Sequence, residues 1–157
     1  MIAPSKTYNL PGLQCSIAII PDRDLRKKIR AAGHGMAGWV NLMGLVAGEA
    51  AYRDGQEWLD QLLVYLEGNR DFLYETVQRE LPGVRMALPE ATYLAWLDSR
   101  GLGLEQDPYD FFLEKARVAG VKGTYFGPGG EGFLRLNFGC PRSMLAEALD
   151  RMKRAVK

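Results

Sequence analysis

The stretch Phe126-Gly127-Pro128-Gly129-Gly130-Glu131-Gly132-Phe133-Leu134-Arg135-Leu136-Asn137-Phe138 decides the class of fold. Its first half, rich in glycine with one proline, is turn chemistry. From Phe133 the pattern becomes strict alternation. Phe133, Arg135 and Asn137 fall on one face of a strand, and Leu134, Leu136 and Phe138 fall on the other. The turn lacks the Gly-Lys-Ser/Thr ending of a phosphate loop, and a strand rather than a helix follows it. It reads as a flexible hairpin.

Helices are predicted on both sides of this strand to cover its apolar face. Upstream, Asp107 is placed as cap, Pro108 takes the first helical position and Gly120 closes the end. Downstream, Leu145, Leu149, Met152 and Val156 recur at helical spacing in a helix from about Ser143. Further back, Val84–Leu88 and Tyr93–Asp98 read as strands. Before them Trp58, Leu62, Leu66, Leu73 and Val77 mark one face of a long helix. Asp54 and Glu57 suggest a capping box at its start, and Leu81-Pro82-Gly83 ends it.

In the first third, Ile17–Ile20 read as a short buried strand stopped by Pro21. Asp22 would cap a helix reaching about Ala32, with Gly33 as a left-handed terminator. Met36, Val40, Met43, Val46 and Ala50 sit at helical spacing, but their flanks are also apolar. That helix is expected to be buried on most sides, in a core or a subunit interface. The order is one strand, three helices, two strands, a helix, a strand and a helix. This is a mixed α and β protein whose second half forms a compact α+β unit. The opening residues are strand-like with no earlier element to pair with, so the chain reads as starting mid-sheet.

Twenty basic residues against nineteen acidic ones give a net charge of +1, which excludes broad attraction for nucleic acid or an anionic membrane. The most apolar stretch, Met36–Tyr52, is interrupted by Asn41 and Glu49 and is short for a membrane span. Cys15 and Cys140 match no metal or redox spacing and read as two buried thiols in a reducing cytoplasm. The single His34 leaves no His-rich metal site and reads as a loop residue. No basic-then-apolar leader opens the chain. A cytoplasmic protein without a metal centre is the expectation.

Two residues could carry chemistry. Lys6 lies between Ala3-Pro4-Ser5 and Thr7-Tyr8-Asn9, a run of hydroxyl and amide groups ending at the Pro11-Gly12 turn. Such a loop can hold an amine beside hydrogen-bond partners while an apolar wall lowers its pKa, as imine formation with a carbonyl requires. Arg135 lies on the polar face of its strand. It is either part of a solvated sheet face or a guanidinium fork for a substrate carboxylate.

Ala3-Pro4-Ser5-Lys6-Thr7-Tyr8-Asn9-Leu10-Pro11-Gly12-Leu13 resembles the lysine motif of the class I/II aminotransferases, specifically the MalY/PatB type of cystathionine β-lyases. Asn41-Leu42-Met43-Gly44, Glu67-Gly68-Asn69-Arg70 and Pro89–Asp98 are similar to that family in the same order. So are the Phe126–Phe138 stretch and Cys140-Pro141-Arg142.

The resemblance implies the C-terminal part of a fold-type-I transferase. Residues 1–65 would be the tail of a large cofactor-binding domain, and 66–157 the small α+β domain. It implies pyridoxal 5'-phosphate as cofactor, held covalently by Lys6 with Ser5 beside it. Lys6 would then move the substrate's α-proton, while Arg135 would bind the α-carboxylate of an amino-acid substrate. In a β-lyase the products are thiol, pyruvate and ammonia; an aminotransferase is the alternative.

Ala3 stands where many members carry a serine for the cofactor phosphate, and Gln14 where many carry an arginine; the missing arginine tilts the resemblance toward lyase. Gly120–Tyr125 is about three residues shorter than the family pattern. The region before the lysine segment, which in the family faces the pyridine nitrogen and cups the phosphate, is absent from the sequence. The isolated chain is therefore expected to be weakly active or inactive. A homodimer is expected, and a non-catalytic pseudoenzyme or dimerisation module is the reading from another class.

Overall fold

The computed structural model describes residues 1–33, 36 and 38–157; His34, expected in a loop, lies outside the described residues. The chain forms two compact units, Met1–Leu62 and Leu63–Lys157.

In the first unit, α1 (Pro4–Thr7) is followed by a 3-10 turn at Pro11–Leu13, α2 (Arg23–Ala32) and α3 (Leu42–Asp54). Asp22 caps α2 as read, its carboxylate accepting the Leu25 N–H at 2.7 Å. Gly33 ends that helix at φ −84°, so it is not a left-handed terminator. The strand expected over Ile17–Ile20 does not form. Ile17 alone pairs, with Ile2, and Ile19 is 68% exposed. Among the described residues only Ile2 pairs alongside, and Pro21 has no amide to extend a ladder.

α3 is shorter than the helix expected from Met36, and of its two expected covers the core of this chain is excluded. Met36 and Val40 precede it, and within it only Gly44 and Gly48 are buried, while Leu42, Met43, Leu45 and Val46 are exposed. An all-round apolar pattern shows that a helix needs cover; it does not show that the same chain supplies it. The expected capping box is also absent. α3 runs through Asp54, whose carboxylate pairs with Arg53 at 3.0 Å, and α4 (Gln56–Glu80) starts after Gly55.

The second unit contains β1 (Leu94–Asp98), α5 (Pro108–Phe111), β2 (Val121–Lys122), β3 (Phe133–Asn137) and α6 (Arg142–Ala155). The strands form an antiparallel sheet in the order β1-β3-β2, with Trp96 opposite Arg135 and Leu97 opposite Leu134. Of the strand expected over Val84–Leu88, only Arg85 pairs, exchanging two 2.8 Å bonds with Asp98. Leu134, Leu136, Ala95 and Leu97 join Leu73 and Val77 of α4 and Leu145, Leu149 and Met152 of α6 in one core.

Asp107 and Pro108 start α5 as read, with Asp107 accepting from Tyr109 N at 2.8 Å. After Phe111 the chain widens into a π-helical turn, Phe112–Ala116, ended by Arg117 at φ +55°. That turn buries both Phe112 and Ala116. Gly120 is therefore no helix cap. It lies against β3, where a Cβ would come within 2.6 Å of Leu134 Cδ1 and 2.8 Å of the Arg135 carbonyl.

One polar group sits inside this apolar unit. Asn69 of α4 is fully buried and donates to the Phe138 and Cys140 carbonyls at 3.0 and 2.8 Å. Its side-chain oxygen accepts from Arg142 Nε at 2.7 Å. The Arg142 N–H donates to the Tyr65 hydroxyl at 2.6 Å, and its guanidinium lies 4.6 Å from the centre of the Phe72 ring. Buried amides this completely bonded stabilise only while every partner remains. Replacing Asn69 by leucine orphans two carbonyls and a guanidinium N–H, so Asn69→Leu should lower unfolding free energy by about 2–4 kcal/mol, read from urea midpoints. A change within about 0.5 kcal/mol would refute this account of the network.

Candidate active site

Lys6 is placed by a closed loop in the first unit. Ile2 and Ile17 exchange N–H···O=C bonds of 2.9 and 2.8 Å and tie its ends. Ala3 is extended, and Pro4 then opens α1 with a φ already suited to a helix. Tyr8 N donates to Pro4 O at 2.9 Å and Leu10 N to Ser5 O at 3.1 Å.

The loop is seated on α3. Asn41 caps α3 through Gly44 N at 2.8 Å and also donates to the Leu13 carbonyl at 2.9 Å. A Cβ on Gly44 would come within 2.6 Å of that carbonyl, and one on Gly48 would reach Cys15 Sγ and Pro4 Cγ at 3.7 Å. Tyr8 packs on Tyr52 and Trp58, with ring centroids 5.4 and 6.4 Å away. These contacts leave Ser5 half-buried and Lys6 exposed. The expected apolar wall around the amine is not there, because the loop buries Pro4 and Cys15 instead.

Arg135 belongs to the second unit. Its neighbours in β3, Leu134 and Leu136, go into the core, so alternation turns Arg135 to the opposite face, half-buried. There Trp96 of β1 meets Phe133 in a near-parallel stack and Phe126 edge-on, both with centroids 5.4 Å apart. The Arg135 guanidinium lies 4.7 Å from the Phe126 centroid. Among the described residues no carboxylate pairs with it.

A second guanidinium, Arg100, lies 4.8 Å from the Phe133 centroid, and Asp98 holds it by two bonds of 2.9 and 2.8 Å. Those bonds keep the Asp98 carboxyl below its usual range, against the opposing effect of burial. Lys122 pairs with Asp110 at 2.6 Å, which raises its pKa.

The glycine-rich turn carries Phe126 to this place. A 3-10 turn at Gly123–Phe126 leads into Gly127, Gly129 and Gly132, with φ of +106°, +89° and +77°. Gly123 and Gly130 bring their backbones together so closely that a Cβ on either would lie 2.1 Å from the other's carbonyl oxygen. Phe126 and Trp96 were not singled out from sequence. Trp96 was legible as a strand residue, but its alignment with Arg135 is a matter of register.

The structure sets Ser5 and Lys6 side by side in α1 and puts Arg135 in the other unit. Cys15 is buried as expected; Cys140 is only half-buried, and its thiol pKa is raised by desolvation. Among the described residues no cluster of three or more His, Cys, Asp or Glu side chains could hold a metal. No described helix is long and apolar enough to cross a membrane.

The fold of this chain is shared with known proteins. The chain belongs to the aminotransferase class I and II family, whose profile matches residues 4–152. It is 45% identical over 157 residues to cystathionine beta-lyase PatB of Bacillus subtilis (strain 168), covering 98% of this chain and 40% of that protein. The crystal structure of OvoB superposes with a TM-score of 0.91 at 46% identity, covering 99% of this chain and 40% of that one. Cystalysin from Treponema denticola, whose structure contains pyridoxal 5'-phosphate, gives 0.89 at 31% identity over 98% of this chain and 39% of its own. The chain thus spans about two fifths of the length of these relatives. Its mixed α and β architecture is that of the corresponding part of this fold.

Two measurements check the geometry. Gly44→Val should destabilise the first unit by about 1–3 kcal/mol, because Leu13 must move to admit the side chain. Asp98, with its folded pKa depressed, contributes stability above its unfolded value of about 4, lost as pH falls through the folded value. Asp98→Asn should therefore be less stable than wild type near neutrality, and the gap should close on acidification in parallel urea titrations. A gap that persists in acid would contradict the assignment.

Proposed function

We propose that the chain is the lysine-bearing, C-terminal part of a pyridoxal-phosphate enzyme acting on amino acids, a carbon–sulfur β-lyase of the cystathionine β-lyase type. Lys6, presented to solvent from a loop that Asn41, Gly44 and Gly48 seat on α3, is the observation that carries this reading. Relatives named cystathionine beta-lyase support it, PatB at 45% identity and the Corynebacterium glutamicum protein at 35%.

In this reading residues 1–65 belong to the cofactor-binding domain and 66–157 to the small domain. Lys6 would supply the amine that holds the cofactor, and its Nζ would carry the α-proton of the substrate. The Ser5 hydroxyl, one residue away and half-buried, would contact the cofactor. Arg135, with no carboxylate of its own among the described residues, binds the α-carboxylate of the amino acid. The bound cofactor would supply the electron sink for cleavage at the β-carbon. The exposed apolar side chains of α3 support a homodimer.

The residues present fit attachment better than turnover. The electron sink needs a carboxylate facing the pyridine nitrogen, and the six acids of the first unit are all engaged locally. Asp22 caps α2, Asp24 pairs with Lys27, Glu49 and Asp54 hold Arg53, and Glu57 and Asp60 bond Gln61 and Gln56.

Mixing the chain with pyridoxal 5'-phosphate should give a weak visible absorbance band, and borohydride should then fix the label on Lys6. Lys6→Ala should abolish both, and cystathionine should release no thiol. A tight band with thiol release would overturn the inactive-chain reading. Consumption of amino acid that depends on a keto acid would favour an aminotransferase. Self-association in sedimentation without any band would favour a non-catalytic dimerisation module.

A further inference from the structure

We propose that Phe126 is the positioning residue of Arg135, its ring standing where an acidic partner would otherwise hold the guanidinium. The inference rests on the reading of Arg135 as a carboxylate binder. Its support is a comparison within the same sheet face. Phe133, Trp96 and Phe126 form a continuous aromatic row, and a guanidinium lies over each end, Arg100 on Phe133 at 4.8 Å and Arg135 on Phe126 at 4.7 Å.

The two ends differ in one respect. Arg100 gives its donors to both oxygens of Asp98, at 2.9 and 2.8 Å, and is thereby closed. Arg135 has the ring and no carboxylate among the described residues. A ring face attracts the cation without consuming its N–H donors, whereas an internal acid would occupy the fork that a ligand needs. The Asp98–Arg100–Phe133 arrangement is the filled counterpart of the open Arg135–Phe126 pair, and a ligand's carboxylate would complete it.

The turn geometry serves the same end. Phe126 is half exposed and buries little, so core packing does not explain its position. It is held by the Gly123–Gly130 backbone contact, by Gly127 at φ +106°, and by Trp96 packed edge-on against its ring. Trp96 is in turn the cross-strand neighbour of Arg135. Ring and guanidinium are thus fixed to the same pair of strands.

The test is nuclear magnetic resonance of the Arg135 side chain in the 157-residue chain, with sodium acetate as the probe. Wild type should show ring-current-shifted Arg135 δ-proton and Nε–H signals that move on addition of acetate. Phe126→Leu, tolerated at a half-exposed site, should remove the ring shift and weaken acetate binding about two- to fivefold; Phe126→Trp should restore both. Unchanged acetate affinity in the leucine variant, or unshifted Arg135 signals in wild type, overturns the positioning role while the carboxylate reading stands. A ring-shifted Arg135 that ignores acetate overturns the carboxylate reading, and the positioning role with it.

Discussion

The buried amide of Asn69 is the constraint on which the second unit depends. A single side chain on α4 satisfies the Phe138 and Cys140 carbonyls at the exit of β3 and the Nε of Arg142 at the entry to α6. The strand, the bend after it and the following helix are thereby referenced to one point. Because side-chain direction in a strand has a period of two, a slip of one residue would turn Leu134 and Leu136 outward and bury Arg135. Hydrophobic burial drives the sheet onto its helices without regard to such detail. The polar network selects the register that puts the guanidinium on the open face.

The first unit solves a similar problem by different means. The loop that carries Lys6 contributes little to a core, and its position comes from close backbone approach. Gly44 and Gly48 clear a path on α3, and Asn41 joins the start of that helix to the Leu13 carbonyl. Asn9 and Gln14 adopt left-handed conformations at φ +54° and +49° to turn the chain around it. Such positions are individually unfavourable for residues with a Cβ, and they persist because the neighbouring hydrogen bonds over-determine them.

Some of this was legible in the residues and some was not, for reasons that can be named. Alternation over Phe133–Phe138 and helical spacing after Ser143 gave the core face of β3 and α6, because burial imposes those periods directly. Asp22 and Asp107 were readable as caps because their chemistry is local. Gly33 and Gly120 misled, since glycine also permits close approach, and Gly120 serves that purpose beside Leu134. Ile17–Ile20 looked like a buried strand because pattern reports apolarity, while pairing depends on what lies alongside. The candidate site divided in the same way. Lys6 and Arg135 stood out through motif and alternation. Their surroundings did not, because the aromatic row depends on cross-strand register and on three glycine dihedrals far from any periodic signal.

The exposure of Lys6 has a consequence for selectivity. A primary amine on an open turn can condense with sugars or lipid-derived carbonyls as well as with a vitamin-derived aldehyde. Nothing in the amine itself tells these apart. Discrimination must therefore come from groups that grip the remainder of the aldehyde-bearing molecule, and α1 offers only the Ser5 and Thr7 hydroxyls toward that task. In the proposed reading the lysine loop would be a generic hook, with the choice of cargo left to groups beyond α1.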